Sequence, residues 1–472
     1  MATVSDNKPH VLAVPLPAQG HVKPLMSLCR QIAKHGIKVT FVNAQSIHHK
    51  ILSESAAEEE DDDSDANIVM TTVPDGLTPT DDPNSPFTLF QTLPKTMPQT
   101  LPELIERING ENPNQKISCV IADLSFGWIS EIAEKKGAEF VGFSPPSFAS
   151  LAVLLQIPNL IQQGYLDTNG SLEKIDLVSL SDDIPSWRKD EFPWSISSDL
   201  KIQKIIFDTV QSYKAADKAK WLLSNTCYEL EPAACDLYPG FLPIGPLHLV
   251  EEAKTMEKSR YDFGNFYSED ATCLIWLDTK PPGSVVYVSF GSLSFYSQQQ
   301  LHELALGLEL SRRDFLWVVR RDLANGLQAI LPDGFLERVV GFGKIVEWAP
   351  QDEVLSHPAI ACFVSHCGWN STLEGVSKGV PYLCWPYFAD QFHNESYICD
   401  KWEIGLRIDC DENRIRSRYE IMKKIDMLLC ESRFKENALK LKETCAKSIG
   451  ERRSSYINLM TFIDHLRKCT IS

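Results

Sequence analysis

The sequence predicts an α/β protein made of two doubly wound, Rossmann-like domains facing across a cleft. Three observations predict it. Short continuous apolar runs recur, as in parallel strands covered on both faces. Helical stretches and polar loops alternate with them, the pattern of βαβ units. The alternation also occurs twice, on either side of the polar stretch His248 to Asp270. A length of 472 residues suits two domains. They are expected at 1–246 and 271–455, with a linker at 247–270 and a closing amphipathic helix within 456–472.

In order, Val11–Pro15 is an apolar strand, followed by a loop and a helix reaching Gly36; Lys38–Asn43 is the next strand. The acidic run Glu54 to Asp65 reads as a solvated loop rather than a metal site. Cys119–Ala122 and Glu139–Phe143 continue the strands, with a helix from Asp123 through Lys136 between them. From Ser144 to about Lys220 the chain is rich in Pro, Ser and Trp, which predicts helices with long loops of the kind that shape substrate pockets. The second half opens on the strand Ser284–Phe290 and a helix from Ser297 to about Ser311. Phe315–Val319, Lys344–Val346, Ala361–Val364 and Tyr382–Trp385 complete it.

A formal charge of −17 argues against a partner with a phosphate backbone, which needs a basic surface. Thirteen scattered cysteines are expected as free thiols of a reducing compartment, without a disulfide frame or a zinc site. Met1–His10 carries no signal-peptide pattern, and no apolar run approaches the roughly 18 residues of a membrane span. Sequons at Asn169, Asn370 and Asn394 also favour the cytoplasm, because glycans on the last two would lie in the candidate site. No feature implies a partner chain, and a monomer is expected.

The densest signal is the 44-residue run Trp348–Gln391. In its middle an apolar strand meets Ser365-His366-Cys367-Gly368-Trp369-Asn370-Ser371, and a helix begins. Amides at a helix N-terminus beside glycine bind phosphate well, and His366, Asn370 and Ser371 could add donors to a diphosphate. Ser371 and Glu374 also have capping-box spacing, which alone would account for both. The residues by themselves leave these two readings about even.

This run closely resembles the plant secondary product glycosyltransferase signature of family 1 UDP-sugar-dependent glycosyltransferases. The resemblance extends over almost the whole chain: Ala18-Gln19-Gly20-His21, Asn225–Pro232, Pro243–Leu247, Trp276-Leu277-Asp278 and Ser289–Ser292 all match. It implies a GT-B fold, with the acceptor held mainly by the first domain and the nucleotide sugar by the second. It also implies that the terminal helix returns to the first domain.

The same resemblance assigns roles. Trp348 would stack on the uracil, with Ala349 and Gln351 near base and ribose, and Glu374 would accept from the ribose hydroxyls. Ser292, His366, Gly368, Trp369, Asn370 and Ser371 would surround the diphosphate, while Asp390 and Gln391 would bond the sugar. A closing Gln resembles the glucosyltransferases, so UDP-glucose is the expected donor, as a co-substrate; no cofactor or metal is expected.

By position alone His21 is a loop histidine of structural type, and Asp123 a helix cap. The resemblance reverses both: they match the family's base and its orienting acid, giving an inverting displacement that yields a β-O-glucoside. The expected acceptor is a small lipophilic phenol, flavonoid or terpenoid. Phe148, Trp187, Trp194 and Phe388 are candidate walls of its pocket, although core is the better reading of each one. One departure stands out. Many relatives carry Trp-Thr where this chain has Ser144-Pro145, so the Thr contact to the sugar is lost or shifted to Ser144 or Ser147.

Competing classes fit less well. A nicotinamide dehydrogenase needs G-x-G-x-x-G after an early strand, and the loop before His21 has one glycine. A glycoside hydrolase needs paired catalytic carboxylates that no motif singles out. A non-catalytic nucleotide-sugar binder would not require His21 and Asp123.

Overall fold

Apolar runs of five or six residues, buried from end to end, form the central strands. The computed structural model describes residues 8–54, 67–81, 86–172, 176–195, 199–252, 266–294, 296–320 and 331–469. Two compact units result, one comprising Met1–Phe266 with Lys447–Ser472, the other Tyr267–Ala446. Their boundaries fall at 266/267 and 446/447, whereas the sequence placed them at 246, 270 and 455.

The first unit contains β1 (His10–Val14), β2 (Lys38–Ala44), β3 (Ile68–Val73), β4 (Cys119–Asp123), β5 (Glu139–Ser144), β6 (Leu177–Val178), β7 (Trp187–Arg188), β8 (Trp221–Ser224) and β9 (Phe241–Pro243). Seven of them form a sheet in the order β3-β2-β1-β4-β5-β8-β9, while β6 and β7 pair separately. Every pair in the seven-stranded sheet is parallel. The strand order reverses direction between β1 and β4, the switch point at which open α/β sheets leave a crevice. Helix Ser454–Leu466 belongs to this unit. Asn458 Nδ2 donates to the Pro243 carbonyl at 2.9 Å, Phe462 packs on Trp221, and His465 Nε2 lies 2.6 Å from Glu139 Oε2.

The second unit contains β10 (Val285–Ser289), β11 (Asp314–Val318), β12 (Gly343–Val346), β13 (Ile360–Ser365), β14 (Tyr382–Cys384) and β15 (Gly405–Arg407). They form a parallel sheet in the order β12-β11-β10-β13-β14-β15, with its switch point between β10 and β13. Val286, Val288, Phe315, Trp317 and Leu383 pack here against Leu304, Leu308, Ile421 and Ile425 of two covering helices. Each such buried side chain contributes roughly 1.5–3 kcal/mol relative to exposure.

The anticipated strands all form, with no end displaced by more than one residue. Strands β3, β8, β9 and β15 of the two large sheets and the two-residue pair β6 and β7 escaped the sequence reading. The four sheet strands lie at or next to an edge and have six, four, three and three residues, and most are too short to show a periodicity. Instead of one helix, Asp123 is followed by a 3₁₀ turn, Leu124–Phe126, and then a helix over Ile129–Lys135. The acidic run lies largely outside the described residues.

Candidate active site

The β1/β4 switch point positions the candidate catalytic pair of the first unit. Val14 pairs with Ala122, so the two strands end side by side. From β1 the chain turns through Pro15–Ala18 into helix Gln19–Ala33, which places His21 in the first helical turn rather than in a loop. Asp123 is the last residue of β4. Nδ1 of His21 lies 2.6 Å from Oδ2 of Asp123, while Oδ1 accepts from the Ser125 amide at 2.9 Å. Both sequence readings of Asp123 therefore hold at once: it caps the turn and it orients a histidine. The carboxylate is buried, with 1% of its side chain exposed, against 22% for His21. The imidazole thus keeps an open edge, as a base that must reach a substrate requires.

The second unit repeats this placement at its own switch point. Ser289 of β10 pairs with Ser365 of β13, bringing Gly291-Ser292 beside His366. A Cβ at Gly291 would stand 2.6 Å from His366 Nε2, and one at Gly368 2.5 Å from the same atom. Two glycines thus clasp the imidazole, and no other residue fits either position without displacing it. Burial pulls the His366 pKa down to about 4, with the Arg320 charge as a smaller cause in the same direction. The ring is therefore neutral near pH 7 and can offer a ligand a hydrogen bond but no charge.

Helix Trp369–Lys378 starts here with Gly368 as its cap residue, so its first amides lie beside His366. The capping-box reading of Ser371 and Glu374 is corrected by this start, which puts both residues inside the helix. A different group holds them: Gln351 Nε2 donates to Ser371 Oγ at 2.9 Å and to Glu374 Oε2 at 2.6 Å. Tyr287 Oη in turn donates to Gln351 Oε1 at 3.1 Å. Trp348 stacks on Tyr267 with ring centroids 4.5 Å apart, and Ala349 is buried next to it. Asn370 is partly accessible one residue past Trp369. The Trp369 indole is buried against Trp402, so only its backbone is placed to meet a ligand.

At the end of the motif, Asp390 Oδ2 accepts from Asn394 Nδ2 at 2.9 Å, and the same amide donates to the Cys367 carbonyl. Gln391 is buried, and its Oε1 accepts from the amides of Tyr387 and Phe388 at 2.7 and 3.0 Å. A sugar hydroxyl would have to be met by its amide nitrogen. Together the second unit presents an aromatic platform, a carboxylate held by an amide, and a helix N-terminus beside a neutral histidine. That succession suits a nucleoside diphosphate.

The pocket-wall reading of three residues is corrected in favour of the core reading, which the sequence favours for each. Phe148, Trp187 and Trp194 are 1%, 1% and 2% exposed and offer no face to a ligand. Trp187 and Trp194 pack on Phe192, and Trp194 also donates Nε1 to the Gly170 carbonyl. Phe148 packs on Phe241. Phe388 keeps partial exposure. Of the two serines offered in place of the missing Thr, Ser147 uses its hydroxyl to cap helix Phe148–Leu154, whereas the buried Ser144 Oγ has no hydrogen-bond partner among the described residues.

Sequence reasoning missed Tyr287, Tyr267, Arg320 and Glu231. The first three surround the motif from outside its 44 residues. Arg320 carried a usable signal, a charge two residues beyond the carboxyl end of a buried strand. Glu231 lies in a segment that matched the family, yet its spacing to Phe148 conveys nothing. Its carboxylate accepts from the amides of Phe148 and Ala149 and from Thr226 Oγ1, at 3.0, 2.9 and 2.6 Å.

Comparison with known proteins identifies the family. Residues 266–446 match the family model described as UDP-glucoronosyl and UDP-glucosyl transferase, and residues 7–167 the glycosyltransferase N-terminal domain. The chain is 41% identical over 467 residues to UDP-glycosyltransferase 83A1 of Arabidopsis thaliana, covering 98% of this chain and 97% of that protein. It is 34% identical over 483 residues to a 7-deoxyloganetin glucosyltransferase of Gardenia jasminoides, covering 97% and 98%. Among solved structures, a UDP-glucose:anthocyanidin 3-O-glucosyltransferase in complex with UDP aligns with a TM-score of 0.80 at 26% identity, over 98% of this chain and all of that one. Two parallel-sheet units with these relatives make a GT-B enzyme, and the chain belongs to the plant family 1 UDP-sugar-dependent glycosyltransferases.

Proposed function

We propose that the protein transfers glucose from UDP-glucose to a hydroxyl of a small lipophilic plant metabolite, with inversion and without a metal ion. The hydrogen bond between His21 Nδ1 and Asp123 carries this reading. A carboxylate can only accept, so Nδ1 holds the proton and Nε2 is left basic. Nε2 takes the proton of the acceptor hydroxyl as its oxygen attacks the anomeric carbon. The bond to UDP breaks on the opposite face, and an α-linked donor becomes a β-glucoside. Negative charge grows on the leaving diphosphate, where the amides opening helix Trp369–Lys378 stabilise it. Glucose is supported by Gln391 at the motif's end and by the relatives named as glucosyltransferases. Their names, for 7-deoxyloganetin and for anthocyanidin, support a small hydroxylated acceptor.

The test is mass spectrometry of products formed from UDP-glucose, EDTA and a panel of flavonoids, simple phenols and terpenoids, with His21→Ala run in parallel. Hexose adducts that persist in EDTA and vanish in the variant are the expected result. Adducts that require a divalent ion, or that survive His21→Ala, overturn the mechanism. UDP-glucose binding without any turnover favours the binder reading.

A further inference from the structure

We infer that Arg320 is a positioning residue for the donor diphosphate, acting through the Gly291–Ser292 peptide group. The inference rests on the UDP-sugar reading of the second unit. Arg320 stands two residues past the end of β11, at the carboxyl edge of the sheet, and is 4% exposed. Its Nη1 donates to the Gly291 carbonyl at 2.8 Å and to the Ser294 carbonyl at 3.3 Å, spanning the turn that leaves β10. That turn contains Gly291 in the left-handed region at φ 66°, packed against the imidazole of His366.

The Gly291 carbonyl and the Ser292 N–H belong to one planar peptide unit. A guanidinium bonded to the carbonyl fixes the orientation of the N–H and strengthens it as a donor, because linked hydrogen bonds polarise one another. Ser292 is the residue that faces the diphosphate in the proposed donor complex. Arginine also stays charged when buried. His366 is neutral near pH 7 and the helix N-terminus supplies only partial charges, so Arg320 adds a permanent cation behind the turn. The same charge works beside burial, as a smaller cause, to lower the His366 pKa. A plain turn clamp would need the two hydrogen bonds, which a neutral donor can make; a diphosphate anchor needs the charge as well.

Isothermal titration of UDP and of uridine separates the two roles, on the full chain and its Arg320→Lys and Arg320→Met variants. Arg320→Met is expected to weaken UDP binding about tenfold or more, a change of about 1.4 kcal/mol or more, with uridine affinity little changed. Arg320→Lys keeps the charge on a shorter, non-planar donor less suited to both carbonyls, and should fall between. UDP and uridine weakened in parallel, or UDP unaffected in a folded variant, overturns the inference; circular dichroism and Tm establish folding. If Arg320→Met does not fold, the Arg320→Lys ratio alone decides by the same criterion. Wild-type protein that binds UDP no better than uridine overturns the underlying donor reading, and this inference with it.

Discussion

His21 and Asp123 lie 102 positions apart in the chain and 2.6 Å apart in space. The contact forms because β1 and β4 are neighbours whose ends coincide, although the intervening chain includes two further strands. The second oxygen of Asp123 is tied to the Ser125 amide, so the carboxylate is held on both sides. Its orientation comes from the sheet and the turn together.

Removing either member should therefore slow turnover severely and spare donor binding. His21→Ala and Asp123→Asn are expected to lower kcat by about 10²–10⁴-fold, the usual worth of a positioned general base. The Kd for UDP should remain unchanged. Steady-state kinetics with titration of UDP checks this, and loss of UDP affinity in step with kcat would refute it.

In the second unit, Glu374→Ala should leave Gln351 with one acceptor fewer and remove the proposed ribose contact. The expected result is a Kd for UDP about tenfold higher, the effect of losing about 1.4 kcal/mol. Tyr287→Phe removes the hydroxyl that holds Gln351 from behind, and its effect should be smaller and in the same direction. Titration of UDP into each variant measures both.

The Glu231 carboxylate is a structural acceptor for three donors in the first unit. Glu231→Ala strands two buried amides and a hydroxyl, and should cost about 3 kcal/mol or more, since each unsatisfied buried group costs about 1–3 kcal/mol. Glu231→Gln keeps one acceptor and should cost less. Urea unfolding followed by circular dichroism compares the two.

Acid should destabilise the first unit through His10. Burial lowers its pKa to about 4, and its ring nitrogens contact Thr40 Oγ1 at 2.8 Å and the Gln115 carbonyl at 3.1 Å. Between about pH 6.5 and 4 the unfolded chain binds a proton at this position that the folded one refuses, so stability falls as the pH falls through that window. The loss approaches about 3 kcal/mol at its lower end, at 1.36 kcal/mol per pKa unit. His10→Gln should flatten the slope of the urea midpoint against pH. An unchanged slope would assign the effect elsewhere.

The sequence by itself determined the two α/β halves, the central strands and the location of the donor motif. Those features are written in local order: apolar runs of strand length, the helix that follows each, and a dense motif whose residues fold next to one another. Tertiary structure decided what each side chain does. It moved Ser371 and Glu374 from capping to an amide clamp, because the helix begins two residues before Ser371. It put Phe148, Trp187 and Trp194 in the core, since rings as large as these contribute most when all their faces are covered. It also joined His21 to Asp123, Glu231 to Phe148 and Arg320 to Gly291. Contacts between residues tens of positions apart follow from strand order and register, and no local pattern of residues encodes either one.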